Sequence, residues 1–245
     1  MAGSDRPDEY GNPPRELLGA AETYFGPRLP LARRYAQSLA TDAVIRGLIG
    51  PREADRLWDR HVLNCVAIAP SMPTGAHVID VGAGAGLPGV VLAIARPDLR
   101  VTLVESLARR TAYLDEIVDS LGLGDQVAVV RARAEEIAEN VSMFNVKPAD
   151  VVTSRAVAPL DRLATWCLPL ARIGGRIVAV KGTTASEEVA THANAVARLG
   201  GSTPIVREYG TGLLPDPTTV VEVVRERVAH RSAGDPRTRG RSRRQ

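Results

Sequence analysis

Between His77 and Gly89 the chain reads His77-Val78-Ile79-Asp80-Val81-Gly82-Ala83-Gly84-Ala85-Gly86-Leu87-Pro88-Gly89. An apolar run reaches an acid, breaks into four glycines within eight residues, and resumes as Val90-Val91-Leu92-Ala93-Ile94. That is the pattern of a strand, a tight turn and a helix. Glycine lacks a Cβ, so a ligand can lie against bare main chain and the backbone can take positive φ. The helix that follows aims unpaired N–H groups into the same space. A second acid, Glu105, closes the next apolar run, Val101-Thr102-Leu103-Val104, 25 positions after Asp80. An acid at the tip of a second strand is placed to accept from the hydroxyls of a nucleoside ribose.

The nucleoside is not specified by the glycines alone. Gly84-Ala85-Gly86-Leu87-Pro88-Gly89 matches the dinucleotide pattern G-x-G-x-x-G. Three features oppose that reading. Asp80, two residues ahead of the first glycine, would repel a pyrophosphate and welcome a cationic amine. Pro88 removes one of the N–H donors from the first helical turn that a pyrophosphate would use. The last two strands end the same sheet, where a dehydrogenase needs a second substrate domain. S-adenosylmethionine, with a cationic amine, ribose hydroxyls and no phosphate, fits all three. Gly82, Gly84 and Gly86 are expected to line its methionine and ribose part. Asp80 is expected at the methionine end and Glu105 on both ribose hydroxyls. Each acid has a simpler reading: Asp80 as a brace for the turn backbone, Glu105 as a partner for the helix starting near Leu107, where Ser106 is the better cap.

The elements that must hold these residues alternate regularly. Strands are expected at 77–81, 100–105, 126–131, 149–154 and 176–181, with helices near 87–96, 107–121, from 134, 159–171 and 184–199. Runs at 203–209 and 218–224, without a helix between them, read as an antiparallel pair at a sheet edge. Apolar strands between helices indicate a parallel sheet covered on both faces. Ahead of it, 15–69 is helical in period, with a third helix over Arg52 to Ile68 after the Gly50-Pro51 turn. The chain thus divides into a disordered leader at 1–14, N-terminal helices at 15–69 packed on the core, a main domain at 70–228, and a disordered arginine-rich tail at 229–245.

The chain has 245 residues, 44% of them hydrophobic and 4% aromatic, so aliphatic side chains and alanine must fill the core. No run suits a membrane span, the start lacks a secretion signal, and Cys65 and Cys167 sit in apolar segments without metal spacing. Buried free thiols in a reducing cytoplasm are expected, with no metal and a monomeric state. The net charge of +3 is unevenly placed: His230–Gln245 has six arginines against one aspartate, a net +5, which leaves the rest at −2. The tail can attract RNA phosphates or simply solubilise the chain; the body has no excess of positive charge.

The stretch Asp80-Val81-Gly82-Ala83-Gly84-Ala85-Gly86-Leu87-Pro88-Gly89 resembles the signature of the RsmG (GidB) methyltransferases, which make 7-methylguanosine in bacterial 16S ribosomal RNA. The resemblance continues in Arg60-His61-Val62-Leu63-Asn64, Arg133-Ala134-Glu135-Glu136, Thr153-Ser154-Arg155-Ala156 and Val180-Lys181-Gly182, and spans about 30–225. It implies a Rossmann-like class I methyltransferase: an α/β protein with a seven-stranded, mostly parallel sheet whose last strand is antiparallel, and an N-terminal helical extension. It implies that Leu87 meets the cofactor through loop backbone, that Ala134 and Glu135 meet its adenine, and that Arg155 contacts it too. Against these stand Leu87 as packing, Glu135 as a first-turn acid and Arg155 as a structural ion pair. Asn64 departs from the family pattern, where an acid is expected, and the arginine tail lies outside it.

Arg155, at the carboxyl end of strand 4, is the first candidate for chemistry, since its fork of donors can grip a carboxylate, a phosphate or a guanine edge. His61, beside Arg60, and Lys181 are the others, with helix packing and simple solvation as their alternatives. The implied reaction is in-line attack of guanine N7 on the sulfonium methyl. N7 holds a lone pair and no proton, so no general base is needed. N7 lies on the groove edge that RNA helices hide, so an exposed or flipped base is expected. With few aromatics and a body charge of −2, the 16S RNA is expected to be met as folded RNA, with or without ribosomal proteins. Rival classes are an NAD-dependent oxidoreductase, a non-catalytic adenosylmethionine- or RNA-binding protein, and a methyltransferase acting on protein or small molecules. Asn12-Pro13-Pro14 superficially suggests the last but lies in the leader.

Overall fold

A computed structural model describes residues 10–139, 141–155 and 158–229. The expected leader falls mostly outside this range; Tyr10 and Gly11 form a turn, with Gly11 buried. The arginine tail from His230 onward also lies outside the described residues, as do Ala156 and Val157 beside Arg155.

Two helices, α1 (Leu18–Phe25) and α2 (Leu29–Ser38), open the chain, and α3 (Asn64–Val66) ends a longer helical stretch. Then come β1 (His77–Val81), α4 (Gly89–Ala95), β2 (Arg100–Glu105), α5 (Ala108–Ser120), β3 (Val127–Arg131), α6 (Ala134–Glu139) and α7 (Val141–Phe144). They are followed by β4 (Ala149–Arg155), α8 (Leu160–Cys167), β5 (Ala171–Val180), α9 (Ala185–Arg198), β6 (Ile205–Tyr209) and β7 (Thr218–Val224). The seven strands form one sheet in the order β3-β2-β1-β4-β5-β7-β6. β1 to β5 are parallel, and β7 runs antiparallel between β5 and β6. The direction of winding reverses between β1 and β4, and in open sheets of this kind ligands bind outside the carboxyl ends of the strands near such a reversal.

Strand alternation sorts the core into two layers. Val78 faces the cluster that holds Ala21, Tyr35, Leu63, Val90 and Leu114, so the N-terminal helices, α4 and α5 cover that face. Ile79 and Val81 face the cluster of Ile137, Leu163 and Val196, covered by α6, α8 and α9. Both cysteines are buried free thiols, and no described helix is long and apolar enough to cross a membrane.

Three elements differ from expectation. α4 starts at Gly89 with Pro88 as its N-cap, so Pro88 stands just outside the first turn rather than within it. The expected helix over 52–68 is a 3-10 stretch (Pro51–Arg56), a wide π stretch (Leu57–Leu63) and then α3. π turns are rare and recur at functional sites; this one carries Arg60 and His61. Finally, Gly174-Gly175 does not precede β5 but lies within it. The register jumps from Ala149↔Ala171 to Val151↔Arg176, and a Cβ on Gly175 would lie 2.8 Å from the Ala149 carbonyl oxygen. A bulge needs glycine for such close approach, as a turn does.

Candidate functional site

β1 carries Asp80, fully buried, to the sheet end beneath the glycine turn and then breaks. Gly82, Gly84 and Gly86 take φ of 73°, 59° and 98°, conformations that side chains with a Cβ resist. The glycines serve different ends. A Cβ on Gly84 would meet only the Gly82 carbonyl oxygen, at 3.8 Å. One on Gly86 would press on Val90 Cγ2 at 2.5 Å and the Tyr35 hydroxyl at 2.9 Å. Gly86 is therefore held to glycine by packing as well. Tyr35, fully buried on α2, donates 2.7 Å to the Ala85 carbonyl and ties the N-terminal helices to the turn.

Asp80 is fully buried. Its Oδ2 accepts from the Gly89 N–H at 2.8 Å, which is the bracing role. Its Oδ1 is buried with no partner among the described residues. Desolvation pushes the carboxyl up to about 7, against the Gly89 N–H and Arg155, which lower it. A cation arriving at Oδ1 would meet an unsatisfied acceptor.

Glu105 is also buried. Its Oε2 accepts from Gly84 N–H at 3.1 Å and from Arg110 at 3.4 Å, and its Oε1 from Leu107 N–H at 2.9 Å. It thus braces the turn and starts α5, while Ser106 is exposed. A carboxylate has about four lone-pair sites, so acceptor capacity remains. Glu105, Gly82, Ala134, Glu135 and Trp166 line a pocket of about 280 Å³. Ala134 is buried and Glu135 exposed in the first turn of α6. Leu87 points away, into the core under the N-terminal helices, and its N–H donates to Ala83; the packing reading describes its side chain.

The other candidates gather elsewhere. Arg155, His61 and Lys181 line a cleft of about 840 Å³ between β4, β5 and the π stretch. The Arg155 Nη2 donates to His61 Nδ1, and its Nη1 lies 3.1 Å from Cys65 Sγ and 3.5 Å from the Arg60 carbonyl oxygen. His61 Nε2 meets Glu53 Oε2 at 3.0 Å. Arginine cannot accept, so Nδ1 is the acceptor and Nε2 carries the proton. Burial and the neighbouring Arg155 lower the His61 pKa, in keeping with that neutral tautomer. Both ring nitrogens are engaged, which leaves no free base there. Lys181, with a side chain 8% exposed, donates to the Ala158 carbonyl at 2.8 Å and Glu188 at 2.7 Å; it is anchored rather than solvated. Asn64 bonds Thr218 on β7. The cleft lining carries four cations, Arg56, Arg60, Arg155 and Lys181, against the four carboxylates of Glu53, Asp59, Glu188 and Asp216.

The expected site residues therefore form two groups: the glycine turn with Glu105, Ala134 and Glu135, and the cleft with Arg155, His61 and Lys181. Sequence reasoning missed Glu53, Cys65 and Trp166. Glu53 and Cys65 flank His61 at helical spacing, a signal that a search for Arg155 partners would have used; Trp166 looks like any core residue of an amphipathic helix.

The sheet order, the glycine turn after β1 and the acid ending β2 define a Rossmann-like methyltransferase fold. Two solved structures share it: cofactor-bound Rv0187 from MTB, with a TM-score of 0.53 over 88% of this chain and 99% of that one at 17% identity, and P. horikoshii TYW2 in complex with MeSAdo, with a TM-score of 0.52 over 68% and 63% at 16% identity. A family model described as rRNA small subunit methyltransferase G matches residues 28–212. The relative of that name in Salinispora tropica is 61% identical over 229 residues, covering 94% of this chain and 95% of its own. The one in Corynebacterium efficiens is 52% identical over 208 residues, covering 85% and 88%. The chain belongs to the rRNA small subunit methyltransferase G family.

Proposed function

We propose that the chain uses S-adenosylmethionine to methylate N7 of a guanine in the 16S RNA of the small ribosomal subunit. The observation that carries this reading is the buried Oδ1 of Asp80, without a partner among the described residues, beside a turn of bare main chain in a chain of this family. The residues fit the donor: Asp80 for its ammonium, Gly82 and Gly84 for close approach, Glu105 for ribose hydroxyls, Ala134 and Glu135 for adenine. Bound S-adenosylmethionine supplies a methyl group on a positively charged sulfur. The protein's task is alignment. Guanine N7 carries no proton, and His61, the one histidine among the described residues lining the cleft, has both nitrogens committed; no side chain is asked to remove a proton. Arg155 keeps Nε–H and one Nη2–H after its contacts with His61, Cys65 and Arg60, enough to turn a guanine edge or a phosphate. Lys181 stands anchored beside it.

The balanced charge of the cleft and the −2 of the body give little attraction for phosphates. Folded RNA, alone or with ribosomal proteins, supplies the remaining recognition, and the enzyme acts as a cytoplasmic monomer. The test is incubation with methyl-tritiated cofactor and unmodified 16S RNA, naked and as assembled small subunits, followed by nucleoside analysis. Label in 7-methylguanosine at one position is expected. Label in another nucleoside, in protein, or nowhere contradicts the reading.

A further inference from the structure

We propose that Trp166 is the aromatic wall of the donor's adenine pocket, a residue that holds the base by stacking. The inference rests on the cofactor reading above and goes beyond it in assigning a side chain from α8, which no motif of the chain marks.

The pocket of about 280 Å³ is built from the tips of β1, β2 and β3, and Trp166 is the one aromatic residue among the described residues lining it. With a ribose at Glu105, the base extends toward the end of β3. There Ala132 and Ala134 are buried and small; they make room but offer no π surface. Trp166 lines that room from α8, in the same layer. Its ring is partly buried against the same core cluster as Ala132 and Ala134, so its position is fixed by packing. Arg162, one turn earlier on α8, places its guanidinium 5.9 Å from the ring centroid, a cation–π contact that orients the indole further. A preset aromatic plane is what base stacking needs, because it adds contact area without ordering a flexible group.

The chain provides its own control. It has two tryptophans, and Trp58 is 3% exposed and packed edge-on to Phe25, 6.4 Å between centroids, in the N-terminal layer. The experiment titrates S-adenosylhomocysteine, and separately adenosine, into wild type, Trp58→Phe, Trp166→Phe and Trp166→Ala, with fluorescence and calorimetry read in parallel. Both ligands should quench the fluorescence of wild type and Trp58→Phe. Trp166→Phe should lose the quench while calorimetry still reports binding. Trp166→Ala should weaken binding about tenfold. A quench that persists in Trp166→Phe, or an unchanged Kd in Trp166→Ala, overturns the wall and leaves the cofactor site standing. No calorimetric binding to wild type overturns both. If Trp166→Ala does not fold, the Phe variant decides.

Discussion

The two pockets at the carboxyl edge of the sheet are built on opposite principles. At the tips of β1 to β3, close to the small pocket, the chain offers bare main chain and one buried carboxylate oxygen without a hydrogen-bond partner among the described residues. At the tips of β4 and β5 the key side chains are already tied: Arg155 to His61, His61 to Glu53, Lys181 to Glu188. An open acceptor in a dry site waits for a ligand that brings its own positive charge. A wired set of donors holds geometry for a group that must be turned to a fixed angle. On the proposed function, the donor belongs to the first pocket and the acceptor base to the second; Arg155, which the family resemblance gives to the cofactor, then falls on the acceptor side.

This division can be broken at several points, taken here from the largest effect to the smallest. Gly86→Ala adds a Cβ into Val90 and Tyr35 at φ +98°; chemical denaturation should show a loss of about 3 kcal/mol or more. Gly84→Ala adds one that meets only the Gly82 carbonyl oxygen at 3.8 Å, and should lose about 1–2 kcal/mol while its donor binding, read by calorimetry, falls sharply. Equal stability losses in the two variants would remove the distinction between a packing glycine and a ligand glycine. Next, Arg155→Ala should lower kcat about 100-fold with donor affinity nearly unchanged; a matching fall in affinity would move Arg155 to the donor pocket.

Asp80 gives a pH signature. Its carboxyl titrates near 7 in the folded chain against an ordinary 3.8. A raised acid stabilises the fold fully below its unfolded value, and that stabilisation is lost as pH rises from about 4 through 7. Donor binding to the ionised form runs the other way, weakening by up to about tenfold per pH unit below 7. Asp80→Asn should bind donor about 10-fold or more weakly and lose both pH dependences. Smallest of all, Glu53→Gln keeps the bond to His61 through its amide oxygen but loses the negative charge, and should lower kcat only about threefold. A larger fall would show that the Glu53 charge holds His61 in its tautomer.

Much of this arrangement is legible in the chain. β1, β2 and β7 span the expected residues, because short apolar runs bounded by turn residues admit few alternatives. The glycine turn and its two acids are local in sequence, so their juxtaposition follows from strand geometry alone. The Arg155–His61 contact joins residues 94 positions apart; types and strand ends nominate both, but only packing of the π stretch on β4 makes them partners. The bulge in β5 was hidden for a different reason. Gly174-Gly175 satisfies the chemistry of a turn and of a bulge equally, and the choice depends on the neighbouring strand. Glu53 offers only its helical spacing to His61, and Trp166 carries no signal at all, so tertiary context alone reveals Trp166.

The most direct test of the two-pocket arrangement is a crystal structure of the protein with S-adenosylhomocysteine and guanosine monophosphate. It should show the adenine beside Ala134 and Trp166, the ribose on Glu105, the ammonium on Asp80 Oδ1, and the guanine in the Arg155 cleft with N7 turned toward the sulfur. An adenine in the Arg155 cleft, or a guanine whose N7 points away from the sulfur, would contradict it.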